Sequence, residues 1–472
     1  MVFTQNYEDF INETLRNIPS GSLTLPSSKR TLLKLNIEKS TSCSTVYSAQ
    51  RPCLPFARSE DFQACIKEWR RLTSLQSPYK PIYEIDFDIR GSNFSFKPGD
   101  TIGIIPKNNE FEVDNIINHL GLQSIMNCQY NLCLEDGQKG KVPTHIPVNS
   151  TIKYVLTNCV DLRGVVKKLF LLALSRHTKE ESERNMLEYL CSKEGSTIYT
   201  SHVLNNNICL MDIFNMFPSC KPPIEVLFEH LPRLLPRPYS IVNSQYREPN
   251  IIRICFSVMS IGTHQKGLTT GWLEEIILSD TLDKKMDVLS LNENASISKI
   301  PIYLRQNIND FTLPDDPKKP IILIGIGSGV SPFIGFLEER EHMKAKLNVN
   351  IGMAWLFFGC RNPTLDFIYE KELKDFLENG ILSKLSTAFS RLDDSENKYV
   401  QDVILKYEAD VIKLIKEGAI VYVCGDVKVM ATQVKDTLIK CVAKHDELSE
   451  KEAENYISDM QKERRLLVDV WN

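Results

Sequence analysis

The spacing of hydrophobic positions changes from one stretch of this 472-residue chain to the next. Over residues 1–70 neither a two-residue nor a 3.6-residue period is sustained. Ser, Thr, Pro and Asn recur there in SGSLTLPSSKRT and STSCSTVYSAQRPCLP, which predicts a flexible, linker-like N-terminal arm. From about Pro78 apolar and polar residues alternate in YKPIYEIDFDIRG. FKPGDTIGIIP adds a turn at Pro98 to Asp100 before a short apolar strand, so antiparallel β structure begins here. Between about Val148 and Leu235 the period lengthens, and VVKKLFLLALSRH and ESERNMLEYLCSK predict amphipathic helices. Strand-like text resumes in RPYSIVNS and IIRICFSVM.

After FTLPDDPKKP the chain alternates strand, turn and helix. IILIGIGSG, AWLFFGC, KLSTAFS and AIVYVCG read as strands, and SPFIGFLEER, EKELKDFLENG, QDVILKYEADVIKLI and MATQVKDTLIKCVAK as helices. Such alternation predicts a parallel sheet covered on both faces. The expected fold class is therefore α+β and α/β multidomain. An antiparallel β-barrel is built from 71–147 and 236–312, a helical connecting insertion spans 148–235, and a Rossmann-like parallel α/β domain spans 313–472.

Composition narrows the function classes. Hydrophobic residues make 42%, charged 25% and aromatic 9%, an ordinary globular balance. With 56 Lys+Arg against 60 Asp+Glu the net charge is −4, which excludes a protein whose main task is gripping a nucleic-acid backbone. Thirteen cysteines, an odd number without a C-x-x-C pair, fit neither a zinc ribbon nor a disulfide framework, and no H-E-x-x-H occurs, so no metal site is expected. The thiols and the acidic start MVFTQNYEDF point to a cytoplasmic location. The apolar stretch Ile321 to Leu337 is too short and too broken by Gly, Ser and Pro to span a membrane.

Three short motifs carry candidate chemistry. Gly325-Ile-Gly327-Ser328-Gly329 lies between an apolar strand and a helix, where glycines let backbone N–H groups approach a phosphate and the helix N-terminus adds partial positive charge. Arg237-Pro-Tyr239-Ser240 opens a strand with a guanidinium for pyrophosphate, an aromatic face for stacking and a hydroxyl for a ring nitrogen. Gly267-Leu268-Thr269-Thr270 leads into the helix GWLEEIIL and again suits a pyrophosphate. Two phosphate sites imply two nucleotides.

The ordered set R-P-Y-S, G-L-T-T, G-I-G-S-G-V-S-P-F, F-F-G-C-R, Y-V-C-G-D and a C-terminal aromatic resembles the FAD and NADPH half of the diflavin reductases, built on a ferredoxin-NADP-reductase-like scaffold. Within that family FPSCKPPIEVLFEHLPRLLPRPYS, FTLPDDPKKP, PFIGFLEER and the ending LLVDVWN resemble the methionine synthase reductase branch, and the likeness spans about Tyr79 to Asn472. It implies that the barrel binds FAD and the α/β domain NADPH. Tyr239 would stack on one flavin face and Trp471 would cover the other. Arg237 and Gly267, Leu268, Thr269 and Thr270 would hold the FAD phosphates, Ser240 would face the hydride-receiving nitrogen, and Cys424 and Asp469 would complete the catalytic set. For NADPH the resemblance implies Arg305, Gly327, Ser328, Gly329, Arg361 and Asp426, with Ser390, Arg391, Lys398, Tyr399 and Gln401 around the ribose 2′-phosphate.

The chain departs from the family pattern in places. Lys398 stands immediately before Tyr399 rather than two places before it, and Ile326 and Ser328 replace the proline and threonine of the usual glycine turn. Residues 1–70 hold no strand and phosphate loop of the FMN-carrying flavodoxin-like domain expected in the family, so the chain would be a shortened form or part of a longer one, or a separate flavodoxin-like carrier would supply FMN. The implied activity is hydride transfer from NADPH to FAD and electron delivery for reactivation of methionine synthase, the implied partner. The alternatives are a non-turning-over, FAD-stabilised module that docks methionine synthase, or the reductase half of another diflavin enzyme.

Overall fold

The strand-like stretches on either side of the helical text lie in one sheet. The computed structural model describes residues 4–19, 21–27, 32–37, 54–135, 140–261, 265–287, 299–392, 396–425 and 428–470. Its six-stranded sheet runs in the order Arg237–Ser240, Thr101–Ile104, Lys299–Arg305, Phe62–Arg71, Ile82–Asp88 and Ile251–Ser257, antiparallel throughout. Among the described residues its two edges meet at one bridge, Ile241 with Ile254, and one backbone hydrogen bond from Val242 N–H to Arg253 O at 2.9 Å. The expected antiparallel barrel is thus present as one six-stranded sheet whose edges touch without a continued ladder. The reason is local: the Asn243 side chain donates to Ile251 O (2.9 Å) and accepts from Arg253 N–H (2.8 Å), taking the backbone groups that a continued ladder would use.

The expected arm over 1–70 is also corrected. Phe62–Arg71 is an interior strand between Lys299–Arg305 and Ile82–Asp88. A register shift between Ile66 and Glu68 breaks its two-residue phase, and Lys67, Glu68, Arg70 and Arg71 hide its apolar face from a pattern reading.

The chain folds into two compact units. One unit combines residues 1–54, 106–236 and 260–272. Helix Thr4–Asn17 buries Phe10 there, and Leu33–Ile37 pairs with Gln129–Leu134, which pairs in turn with Asn149–Thr151. Around them stand Glu110–Leu120, Ile152–Asn158, Lys168–Ser175, Glu181–Cys191, Leu210–Met216 and Ile224–His230, sharing a core of Val113, Leu171, Leu187, Phe217 and Phe228. Residues 106–135 and 140–147 therefore pack with the helices, whereas the expectation placed them with the sheet.

The other unit combines 55–105, 237–259 and 273–472, and so contains the antiparallel sheet and a five-stranded parallel sheet. The parallel order is Lys384–Phe389, Ala354–Cys360, Ile321–Ile326, Ile420–Gly425, Leu466–Val470. Near-continuous Val, Ile, Leu and Phe in these strands reflects burial on both faces. Leu323, Leu356, Phe358 and Tyr422 pack on one side, and Ile322, Ile324, Trp355, Phe357 and Val421 on the other. Each such side chain contributes about 1.5–3 kcal/mol on leaving water. The chain leaves Ile321–Ile326 in one lateral direction and returns on its other side as Ile420–Gly425, a reversal that opens a crevice beyond the strand C-termini. Among the described residues no helix is long and apolar enough to cross a membrane.

Candidate functional site

At that reversal the glycine turn meets the Cys424 strand. Gly325 stands opposite Cys424 in the parallel ladder, and Gly327 adopts φ +57°, a left-handed conformation that L side chains rarely hold. A single 3₁₀ turn over Gly327–Val330 then feeds helix Ser331–Lys346. A Cβ on Gly329 would lie 2.1 Å from Cys424 O, so only glycine allows this approach. Nothing lies within 4 Å of a Cβ built on Gly327, which leaves its outer side open for a phosphate. The same helix presents Gly335 to Val242, where a Cβ would sit 2.8 Å from the carbonyl oxygen.

Arg237–Ser240 pairs with Thr101–Ile104 in the register Ser240 with Thr101 and Tyr239 with Ile102. The Tyr239 ring meets Phe256 edge-on, centroids 6.4 Å apart at 78°. Ser240 Oγ donates to Asp469 Oδ2 at 3.1 Å. Asp469 belongs to edge strand Leu466–Val470, in register with Cys424, so three motifs separated along the chain converge. Burial raises the Asp469 carboxyl above its ordinary range, while the Ser240 hydrogen bond and the Arg305 charge pull it back. Cys424 is wholly buried. Burial first and the Asp469 charge second push its thiol well above the usual value, so it stays protonated at neutral pH.

Arg305 ends the strand Lys299–Arg305 opposite Thr101, its guanidinium 5.6 Å from the Phe56 ring centroid. Its charge reaches Asp469, so the structure associates it with the Ser240 and Asp469 pair. The arginines downstream form a separate group. Arg361 and Arg391 follow adjacent parallel strands, whose ends are tied by Ser390 N–H to Cys360 O (3.0 Å) and Arg391 N–H to Arg361 O (2.9 Å). Both side chains are exposed, and among the described residues neither guanidinium is paired with a carboxylate. Lys398 is exposed as well. Its N–H and that of Tyr399 donate to Asp402 at 3.1 and 2.9 Å, which fixes the start of helix Val400–Lys406. Gln401 Nε2 donates to Gln433 Oε1 at 3.1 Å. An unneutralised cationic rim at strand C-termini suits an anionic nucleotide.

Gly267–Thr270 opens helix Leu268–Asp287. Thr269 Oγ1 is buried and among the described residues has no hydrogen-bond partner, an arrangement that a phosphate oxygen would complete. Sequence reasoning missed what fixes this turn: Arg163 donates to Lys266 O at 2.6 Å and holds Glu112 through Nε at 2.9 and 3.1 Å. The only local signal was an arginine inside predominantly apolar helical text. Asp426 and Trp471 lie outside the described residues. A cavity of about 320 Å³, lined by Val423, Leu466, Val468 and Lys435, opens on the sheet face opposite Cys424 and Asp469.

A model described as FAD binding domain matches residues 54–272, and one described as Oxidoreductase NAD-binding domain matches 323–436. Methionine synthase reductase of Mus musculus is 33% identical over 484 residues, covering 98% of this chain and 68% of the relative. That of Homo sapiens is 34% identical over 487 residues with the same coverage. NADPH--cytochrome P450 reductase of Homo sapiens is 31% identical over 432 residues, 90% of this chain and 60% of the relative.

Proposed function

The chain belongs to the methionine synthase reductase family, as an NADPH-dependent FAD oxidoreductase of the diflavin reductases, and on that premise we propose which residues carry the reaction and where its electrons go. The observation that carries the reading is the Ser240 to Asp469 hydrogen bond, which joins R-P-Y-S to the C-terminal strand across 229 residues.

FAD, when bound, supplies a two-electron acceptor for the hydride of NADPH and a one-electron outlet. By resemblance Arg237 and the Gly267–Thr270 turn would each meet its phosphates, and the Thr269 hydroxyl, unpartnered among the described residues, is open to an acceptor. Tyr239 offers its ring to the flavin. Asp469 accepts the Ser240 hydroxyl proton in a hydrogen bond, which leaves the serine oxygen lone pairs free for an N–H donor. Because burial keeps the Asp469 carboxyl easier to protonate than usual, it can hold a proton beside that hydroxyl. Cys424, a neutral thiol, would pack against the nicotinamide and not act as a nucleophile.

Gly327, Ser328, Gly329 and Arg361 would hold the NADPH phosphates, and Ser390, Arg391, Lys398, Tyr399 and Gln401 its 2′-phosphate. Arg305 is proposed to steady charge at Asp469, and Asp426 to face the same cofactor. Trp471, outside the described residues, would by family resemblance cover the flavin. The onward route is methionine synthase through a flavodoxin-like FMN carrier.

The test is anaerobic reduction of the purified, FAD-loaded chain with NADPH, followed by ferricyanide and, separately, a free flavodoxin. Flavin bleaching that reverses on acceptor addition is expected. A folded chain that stays colourless after FAD is supplied would sink the reading.

A further inference from the structure

Arg361 is exposed and, among the described residues, has no carboxylate on its guanidinium, yet it is held in place. Its Cζ stands 4.9 Å from the centroid of the Tyr79 ring. The nearby Asp366 carboxylate is occupied with the backbone N–H groups of Arg361 (3.1 Å) and Asn362 (2.7 Å), so it shapes the loop and leaves the guanidinium alone. Tyr79 is half-buried in the loop that follows Phe62–Arg71. That loop is anchored twice: Tyr79 N–H donates to Ser77 Oγ at 3.2 Å, and Ser74 N–H donates to Leu365 O at 2.9 Å. The second bond ties the tyrosine's loop to the loop that carries Arg361.

The way in which an arginine is held decides what it can still bind. A carboxylate partner would consume two of the five N–H donors and cancel the charge, whereas an aromatic face orients the guanidinium plane and leaves every donor and the full charge available. We propose that Tyr79 is a positioning residue for NADPH: its ring sets the Arg361 guanidinium for a cofactor phosphate. The inference rests on the reading of Arg361 as a phosphate contact. Tyr79 lies outside the motifs that mark the nucleotide sites, and its ring reaches Arg361 only through the folded loop pair.

The test uses the FAD-loaded chain, with ferricyanide reduction for KM and kcat and calorimetry for the Kd of NADP⁺. Tyr79→Leu is expected to raise both KM and Kd about threefold with kcat unchanged, the size of a partly exposed cation–π contact. Tyr79→Phe, which keeps the ring, is expected to match the wild type, and Tyr79→Leu is expected to add nothing to Arg361→Ala. If Tyr79→Leu binds NADP⁺ like the wild type while Arg361→Ala binds weakly, the positioning role is overturned and the phosphate contact survives. An equal loss from Tyr79→Leu with and without Arg361 overturns the role too, because the ring would then act through the fold. Unchanged binding in Arg361→Ala overturns the phosphate contact and the proposal with it.

Discussion

Glu338, buried in the helix that leaves the glycine turn, accepts the backbone N–H of Ser244 at 2.8 Å. Ser244 lies just beyond the R-P-Y-S strand, so this bond ties the proposed NADPH helix to the strand proposed to carry flavin contacts. Arg247 stands 3.3 Å and Arg253 3.9 Å from the carboxylate. Burial outweighs both cations and the hydrogen bond, and the carboxyl is raised to about 7 from 4.5.

A carboxyl that is harder to ionise in the folded state stabilises the fold below its unfolded value and loses that contribution as pH rises through the folded one. Stability should therefore fall between about pH 4 and about pH 8, with Glu338 supplying roughly 3 kcal/mol of the change. Urea unfolding of Glu338→Gln at both ends of that range should show a much smaller difference than the wild type. An identical slope in the variant would contradict the assignment.

Ser240 and Asp469 should act as one unit. Asp469→Asn and Ser240→Ala are each expected to slow flavin bleaching by about 100-fold in stopped flow, with the double variant little worse than either. Losses that simply multiply would show that the hydrogen bond has no part in the reaction.

Arg391→Ala should raise the KM for NADPH at least ~10-fold and leave that for NADH nearly unchanged, since the lost guanidinium would serve only the 2′-phosphate. A parallel rise with both cofactors would move Arg391 away from that phosphate.

Thr269→Val is expected to have opposite effects on the apoprotein and the holoprotein. Removing a buried hydroxyl that lacks a partner should stabilise the FAD-free chain by about 1 kcal/mol, while FAD affinity falls about 10-fold. Thermal melts with and without FAD would read both, and equal shifts would refute the phosphate role.

Gly329→Ala would place a methyl 2.1 Å from Cys424 O, against backbone that cannot turn aside. A cost of about 3 kcal/mol and a lower Tm are expected. Wild-type stability in this variant would mean that the turn is looser than the structure shows.

The parallel strands were legible because their chemistry is local: IILIGIG, AWLFFGC and AIVYVCG are short, apolar and closed by turns, and they form Ile321–Ile326, Ala354–Cys360 and Ile420–Gly425. Phe62–Arg71 was not, because its register shift and half-exposed charges erase the two-residue period. Leu33–Ile37 was equally hidden, a five-residue strand whose ladder partner among the described residues, Gln129–Leu134, lies about a hundred positions away.

By itself the sequence determined what depends on neighbours in the chain. It set the glycine turn, the strand and helix alternation, and the ordered motifs that mark a flavin and a nicotinamide nucleotide. Tertiary structure alone decided which groups meet. Ser240 finds Asp469 across 229 residues, Arg163 holds the carbonyl of Lys266 across 103, and the Tyr79 ring faces Arg361. Periodicity and spacing report backbone preferences over a few residues. Hydrogen bonds, desolvation and charge act through space, and only the folded chain sets those distances.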